Sequence, residues 1–366
     1  MGNSNIGFQF FADAGTLVNA TGTYVNAYTG QKTAFDDTNK LTPTMKTFYD
    51  TQLLENARPE LIFAQLAKKQ ALPRNRGKSV EFRKWNTLPE AETLTEGVIP
   101  TGQKLGMSSM TKDIVQKGLY VTISDLLELH AIDNAILGAT EELGASGGMS
   151  IDKMVRNEII GGTVKQYCDK VNATTGAHTE VTSRSGMDTT SLLTPTEINK
   201  AVTTLKKMHA PTIDGKYVGV LHPSVAYDLR QSKEWIEAHK YAAVTELLNG
   251  EIGELHGVRW VESNNQKIWN DSTCPVKSAA SGDGQTPATY YSVYATIIMG
   301  KDAFAMIDPD GGNMEMIVKT KGEVGGPLEQ FSTVGYKYEG AALILYEDRM
   351  VRIESTSAYS ATDPAN

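Results

Sequence analysis

The chain has 366 residues, 40% hydrophobic and 21% charged, with 43 acidic against 35 basic side chains and a net charge of −8. That apolar share is enough for one large or two to three moderate cores, and the acidic balance excludes a general nucleic-acid coat, which needs a basic surface. No apolar run reaches the roughly 20 residues of a membrane span, the opening MGNSNIGFQFFADAG lacks the basic start of a secretory signal, and Ile6 stands where a myristoylation motif needs Ser or Thr, so a soluble chain made inside the cell is expected.

Residues 1–40 are polar and rich in Gly, Ala, Thr and Asn, too poor in apolar surface to fold alone. In LTPTMKTFYDTQLLENA, Thr42 is placed to cap a helix with Pro43 in its first turn, and Met45, Phe48, Tyr49 and Leu53 form its buried stripe. Pro59 starts a short helix over PELIFAQLAKK. A polar arm follows from Ala71 to Gln103. Its root is basic, with Arg74, Arg76, Lys78, Arg83 and Lys84 against Glu81 alone, and its middle is acidic, with Glu90, Glu92 and Glu96. KSVEFRKW alternates, with Val80 and Phe82 on one face, and MTKDIVQKGLYVTI reads as the returning strand of a long projecting hairpin. An isolated hairpin is marginal in water, so this one must lie on something. A solvated charged ribbon, a nucleic-acid patch and a docking arm for a neighbouring subunit are the three readings. The second lacks stacking aromatics beyond Phe82 and Trp85. The third explains why so long a hairpin has so little of its own to pack on.

Ser124 is placed to cap a helix carrying Leu129, Ile132, Ile136, Ala139 and Leu143, which GASGG is expected to interrupt. Ser150 then caps a second, longer helix with Ile151, Met154, Val155 and Ile159 on one face, and Gly161-Gly162 inside it. Residues 172–192 read as a loop. Thr194, Pro195 and Glu197 form a capping box ahead of Ile198, Val202, Leu205 and Met208. YVGVL and HPSVAYDLRQS read as strand, turn and helix. GELHGVRWVES reads as a hairpin turning at His256-Gly257. SVYATIIM is a buried strand and MEMIVK a half-buried one. Leu343 to Leu345 and Met350 to Ile353 are expected to be two short strands around Glu347-Asp348, of the late kind that returns to a first domain's sheet.

Catalytic patterns are missing from the sequence. It has no phosphate loop, no dinucleotide fingerprint and no Gly-x-Ser-x-Gly elbow. His130, His178, His209, His222, His239 and His256 are scattered, with no pair at zinc-helix spacing. His222, just before Pro223, reads as a cap. DPDGGNME brings Asp308, Asp310 and Asn313 into one turn but lacks a full calcium loop. Cys168 and Cys274 are expected to be free thiols. No catalytic residue, metal ligand or cofactor is expected.

The ordered set LTPTMKTFYDTQLLENARPELIFAQLAKKQALPRNRGKSVEFRKW, LPEAETLTEGVIPTG, HPSVAYDLR, ELHGVRWVES and GYKYEGAALILYEDRMVRIES resembles tailed-bacteriophage major capsid proteins of the HK-97-type fold, and within them the phage N-4-type family. The likeness spans about residues 41–354. The resemblance implies an α+β fold with an N-arm at 1–40, an extended β-hairpin loop at 70–120, a peripheral domain with a long spine helix from Ser150 at 41–69 and 121–193, an axial α/β domain at 194–330, and a return to the peripheral domain over 331–366. It also implies a shell subunit, not an enzyme, that forms hexamers and pentamers of an icosahedral head around double-stranded DNA, without sequence-specific contact. Such a head belongs to the virion and assembles in the host cytoplasm with a portal. A separate scaffold protein is expected, since forty residues are too few for a scaffolding segment. The arm residues Arg74, Arg76, Lys78, Arg83, Lys84, Glu90, Glu92 and Glu96 are then inter-subunit contacts. An encapsulin-type nanocompartment shell is the alternative reading, and an α/β enzyme the more distant one.

Overall fold

The protein is represented by a computed structural model that describes residues 23–25, 32–34, 61–72, 79–85, 88, 90–91, 93, 102–124, 135–172, 174–241, 251–278, 289–309, 314–319 and 330–366. The chain divides into two compact units. The first comprises Met1–Leu66, Val115–Met154 and Asp308–Gly340, and the second Ala67–Ile114, Val155–Ile307 and Ala341–Asn366.

In chain order the elements begin with strands β1 (Thr23–Val25) and β2 (Lys32–Ala34) and a single helical turn, α1 (Phe63–Leu66). Strands β3 (Lys68–Leu72), β4 (Ser79–Trp85), β5 (Met107–Asp113) and β6 (Val115–Ser124) lead to the long helix α2 (Ala135–Ile159). Then come β7 (Lys165–Tyr167), β8 (Lys170–Val171), β9 (His178–Thr179), α3 (Pro195–Lys207), β10 (Tyr217–Leu221), α4 (Pro223–Arg230) and α5 (Lys233–Tyr241). The rest is β11 (Glu251–Leu255), β12 (Val258–Glu262), β13 (Ile268–Trp269), β14 (Val276–Ser278), β15 (Thr289–Tyr290), β16 (Val293–Met299), β17 (Phe304–Pro309), β18 (Glu315–Lys319), β19 (Phe331–Ile344) and β20 (Met350–Ser355).

In the first unit, the Phe331–Gly340 part of β19 is the middle strand of an antiparallel trio. It pairs β6 from Phe331↔Ser124 to Gly340↔Val115, and β18 from Glu315↔Lys337 to Lys319↔Thr333. Alternation sends Val334, Tyr336 and Tyr338 to a buried face together with Met316 and Val318. Helix α2 packs on that face, where Ser150 Oγ lies 3.2 Å from the Tyr338 hydroxyl. The α1 turn is held by α2 as well: the Asp152 carboxylate accepts from the backbone N–H of Phe63 at 2.7 Å and of Ala64 at 3.2 Å, satisfying donors that a helix start leaves open.

Three expectations about helices are corrected in this region. GASGG does not break the helix, and α2 runs 25 residues through it, with Ser150 in its interior rather than at its cap. The glycines are there for contact. A Cβ on Gly147 would sit 2.5 Å from Met314 Sδ and 3.4 Å from the Tyr336 ring, so the bare position lets the helix approach the sheet without displacing the methionine. Gly161-Gly162 lies beyond the helix end, not inside it. The helix expected over PELIFAQLAKK stops at Leu66, and Lys68–Leu72 is a strand beside β17. The helix expected near Thr42 and the start expected at Ser124–Leu129 lie outside the described residues, apart from Ser124 itself, which ends β6.

The second unit is built on a mixed sheet in the order β11-β12-β10-β16-β20-β7, with β13 also paired to β16. β10 runs parallel to β12 and antiparallel to β16, and all of β16 is buried. Ile198, Ala201, Val202 and Leu205 of α3 and Val225, Ala226 and Leu229 of α4 join Trp260, Tyr294 and Ile353 in the core. At about 1.5–3 kcal/mol for each fully buried large aliphatic side chain, this cluster is the main stabilising mass of the unit. α3 starts as its sequence dictates: Thr194 Oγ1 accepts from Glu197 N–H at 3.4 Å, with Pro195 in the first turn. The Glu197 carboxylate does not close the capping box; it accepts from Gln166 Nε2 at 2.6 Å. The β11–β12 turn puts His256 and Gly257 at φ 53 and 76, the two left-handed residues of a tight hairpin. The expected short strand at Leu343 is instead the end of the 14-residue β19, and β20 pairs β16.

Gly219 in β10 sits under Trp260. A Cβ there would come 2.5 Å from the indole and 2.9 Å from Val258 Cγ1, and Trp260 is fully buried. Gly219→Ala is therefore expected to cost about 1–3 kcal/mol by overpacking, read as a lower urea midpoint at unchanged slope. An unshifted midpoint would show that the indole has room to move.

Candidate functional site

The two strands at the root of the expected hairpin are in place. β4 pairs β5 antiparallel from Ser79↔Asp113 to Trp85↔Met107. The returning strand is broken where the sequence suggested continuity: β5 ends at Asp113, and after Ile114 the chain enters β6, which pairs β19. Strand alternation gives the ribbon two faces. Val80, Phe82 and Met110 turn inward with Ile114 and pack on Ala305, Ile307, Ala341, Leu343, Leu345 and Tyr346. The root therefore does have a core of its own. Ser79 Oγ donates to Asp113 at 2.5 Å, and Lys112 Nζ pairs with Glu158 at 2.5 Å.

The outer face carries Glu81 and Arg83, two residues apart and both exposed. Arg83 donates to both carboxylate oxygens of Glu81, at 3.3 and 3.2 Å. Those hydrogen bonds, with the guanidinium charge, hold Glu81 below the usual carboxylate range and push Arg83 up. Lys84 turns the other way, its Nζ 5.5 Å from the Tyr346 ring centroid, a cation–π contact. Of the predicted arm residues, then, Arg83 is balanced within its own strand and Lys84 is directed at its own unit. Glu90 is exposed. Arg74, Arg76, Lys78, Glu92 and Glu96 lie outside the described residues. Toward the tip the apolar side chains lose their cover: Leu88, Leu105 and Met107 are 54%, 56% and 48% exposed.

A second uncovered surface was not legible in the sequence. It is the β6 side of the first unit's sheet, where Val115, Leu119, Tyr120 and Val121 are 40–70% exposed. The only available signal was the apolar run LYVTI, which reads as core when no partner is specified.

Titratable groups elsewhere serve structure. His222 caps α4, its Nδ1 accepting from Ser224 N–H at 3.2 Å, and burial lowers its pKa. The Tyr294 hydroxyl donates to Asp363 at 2.6 Å; burial and this bond push the tyrosine up. Burial works to raise Asp363, but hydrogen bonds from Ser360 and Tyr294 hold it below its ordinary value. These contacts fasten the segment after β20. Cys168 and Cys274 are free and buried. Among the described residues no group of three His, Cys, Asp or Glu is arranged to hold a metal ion, and no helix is long and apolar enough to cross a membrane.

No family model and no curated protein matches the sequence. Solved structures do. The capsid chain of the cyanophage P-SCSP1u is 15% identical and aligns over 83% of this chain and 89% of its own, at a TM-score of 0.55. The capsid chain of Ralstonia phage GP4 is 12% identical over 82% and 88%, at 0.58. A chain from the head of Helicobacter pylori bacteriophage KHP40 is 12% identical over 78% and 88%, at 0.53. The fold is the HK-97-type fold of phage capsid chains. At such low identities the agreement lies in the path of the backbone rather than in shared side chains, and it covers about four-fifths of the molecule.

Proposed function

We propose that the chain is a major capsid protein, the shell subunit of a tailed-phage head, acting by self-association and not by catalysis. The observation that carries this reading is the HK-97-type backbone shared with phage capsid chains over most of their length. Exposed apolar side chains in the described part of the arm support it: Leu88 and Leu105, just beyond the root strands, are what a subunit presents when its neighbour completes the packing. The ordered motif set supports placing the chain with the phage N-4-type branch. The same reading places the subunits in hexamers and pentamers around double-stranded DNA, with a portal and a separate scaffold protein. The domain assignments set out from the sequence belong to it too. The net charge of −8 suits a lining that must let DNA enter and leave.

The test is negative-stain electron microscopy of the purified chain, alone and with the scaffold protein of its phage. Closed shells or six-fold rings are expected. Small monodisperse particles under both conditions would overturn the reading. Within it, the acids of the arm meet cations on the next subunit and fix register. Reversing Glu90, Glu92 and Glu96 to Lys together is expected to lower shell yield at least tenfold without changing the circular dichroism of the free subunit, because charges in a polar segment such as LPEAETLTEG contribute little to its own fold. Normal yield would remove the acids from the contact.

A further inference from the structure

Among the described strands, β6 is paired along one edge only. β19 runs beside all ten of its residues, and none of the described strands lies on the other edge. Eight of the ten are exposed. A long edge strand without proline, bearing exposed apolar side chains, is a template for another strand and needs cover.

The direction of its free groups can be worked out. A Cβ built on Gly118 would come 2.6 Å from the Tyr336 carbonyl oxygen, and one on Gly335 would come 2.8 Å from that of Leu119. Both carbonyls therefore point into the β6–β19 gap. Leu119 and Tyr336, which are register partners, are the hydrogen-bonded pair. Residues alternate, so Gly118 and Tyr120 turn their N–H and C=O groups to the open edge.

The side chains at that edge are specific. Tyr120 is 70% exposed. Gly118 has none, and its register partner Lys337, exposed on β19, has a Cβ only 3.3 Å from where a Gly118 Cβ would stand. The bare glycine leaves the lysine a path across β6 to whatever lies beyond. The arm holds a complementary pattern, with exposed Leu88 and Glu90 two residues apart, hence on one side of an extended strand, and Pro89 between them.

We infer that β6 receives the arm of a second copy of this chain as an added antiparallel strand, with Leu88 opposite Tyr120 and Glu90 opposite Gly118. This rests on the shell-subunit reading and adds the place and mode of contact. The register stacks the leucine on the tyrosine ring and puts Glu90 within reach of Lys337 across the glycine. It also sets Pro89 opposite Leu119, whose polar groups already face β19, so the missing proline N–H falls where no ladder bond is made. A shift of one residue sends Pro89 to a bonding position and Glu90 to the other face of the sheet.

Residue-level amide exchange on assembled shells and on the unassembled chain tests it. The N–H groups of Gly118 and Tyr120 are expected to slow by on the order of tenfold or more on assembly, and that of Leu119 to change little. Lys337→Glu and Glu90→Lys are each expected to lower shell yield, and the two together to restore it. Shells whose β6 amides exchange as in the free chain overturn strand addition and leave the shell reading intact. Failure of the unaltered chain to assemble with its scaffold overturns the shell reading itself. Protection at Gly118 and Tyr120 without rescue by the charge exchange keeps the strand and refutes the Glu90–Lys337 register.

Discussion

Replacing Glu354 by alanine is expected to destabilise the second unit by about 3–5 kcal/mol, a large part of the stability of an ordinary domain. Glu354 is completely buried in β20. Its carboxylate takes two hydrogen bonds from Arg184, at 2.6 and 2.9 Å, and an ion pair from Arg352 at 3.0 Å. The Arg184 guanidinium lies 3.7 Å from the Trp269 ring centroid, and Arg352 also donates to the Ile160 carbonyl. Burial, and to a lesser degree the Arg184 charge, pull Arg352 down, and the Glu354 carboxylate is the main influence opposing them. Removing the carboxylate leaves two guanidinium groups facing each other with no anion between them, and neither can shed its proton. The cost therefore exceeds the worth of the ion pair. Glu354→Gln keeps the volume and one acceptor, so it is expected to fall between the native chain and the alanine variant. Urea unfolding of the three proteins reads the series. A loss under about 1 kcal/mol for the alanine variant would show that water enters the site and solvates the arginines.

That network could not be seen in the sequence, because Arg184, Trp269, Arg352 and Glu354 are scattered over 170 residues. What could be read was local chemistry. α3 declared itself through Thr194, Pro195 and the spacing of Ile198, Val202 and Leu205. The β11–β12 hairpin declared itself through His256-Gly257, since few residues accept two successive left-handed positions. The misreadings arose where distant packing overrode local preference. Glycine propensity argued for a break at GASGG, yet the bare surface at Gly147 is what lets α2 meet Met314 and Tyr336. Lys68–Leu72 has helix-forming residues and is a strand because β17 offers it an edge. The alternation of β5 into β6 passes through Ile114 without a turn residue, so nothing in the pattern announced the change of partner. The arm was legible as a charged segment with paired strands at its root. That its root has a core depends on Ala305, Ile307 and Leu343, which come about two hundred residues later.

Deleting Leu88–Pro100 is expected to give a chain that folds and does not assemble. The division between root and tip supplies the argument. The root is held by Val80, Phe82, Met110 and Ile114 in an apolar cluster and by the Lys112–Glu158 pair, and the deletion touches none of these. A shorter connection between β4 and β5 lowers loop-closure entropy only slightly, by about 0.6 kcal/mol per halving. The unfolding midpoint of the free subunit should therefore stay within about 0.5 kcal/mol of the native one, as for surface changes generally. On the shell-subunit reading, assembly needs the removed segment, because its sequence holds Leu88 and the acids Glu90, Glu92 and Glu96 that are proposed to meet the next copy. On that reading, loss of one docking arm is multiplied around a closed ring of subunits, so even a modest loss per contact is expected to remove the shell altogether. Sedimentation of the variant against the native chain under assembly conditions decides the matter. Shells of normal size and yield would mean that the tip is a dispensable surface loop, and the contacts that build the shell would have to be sought on the second unit instead.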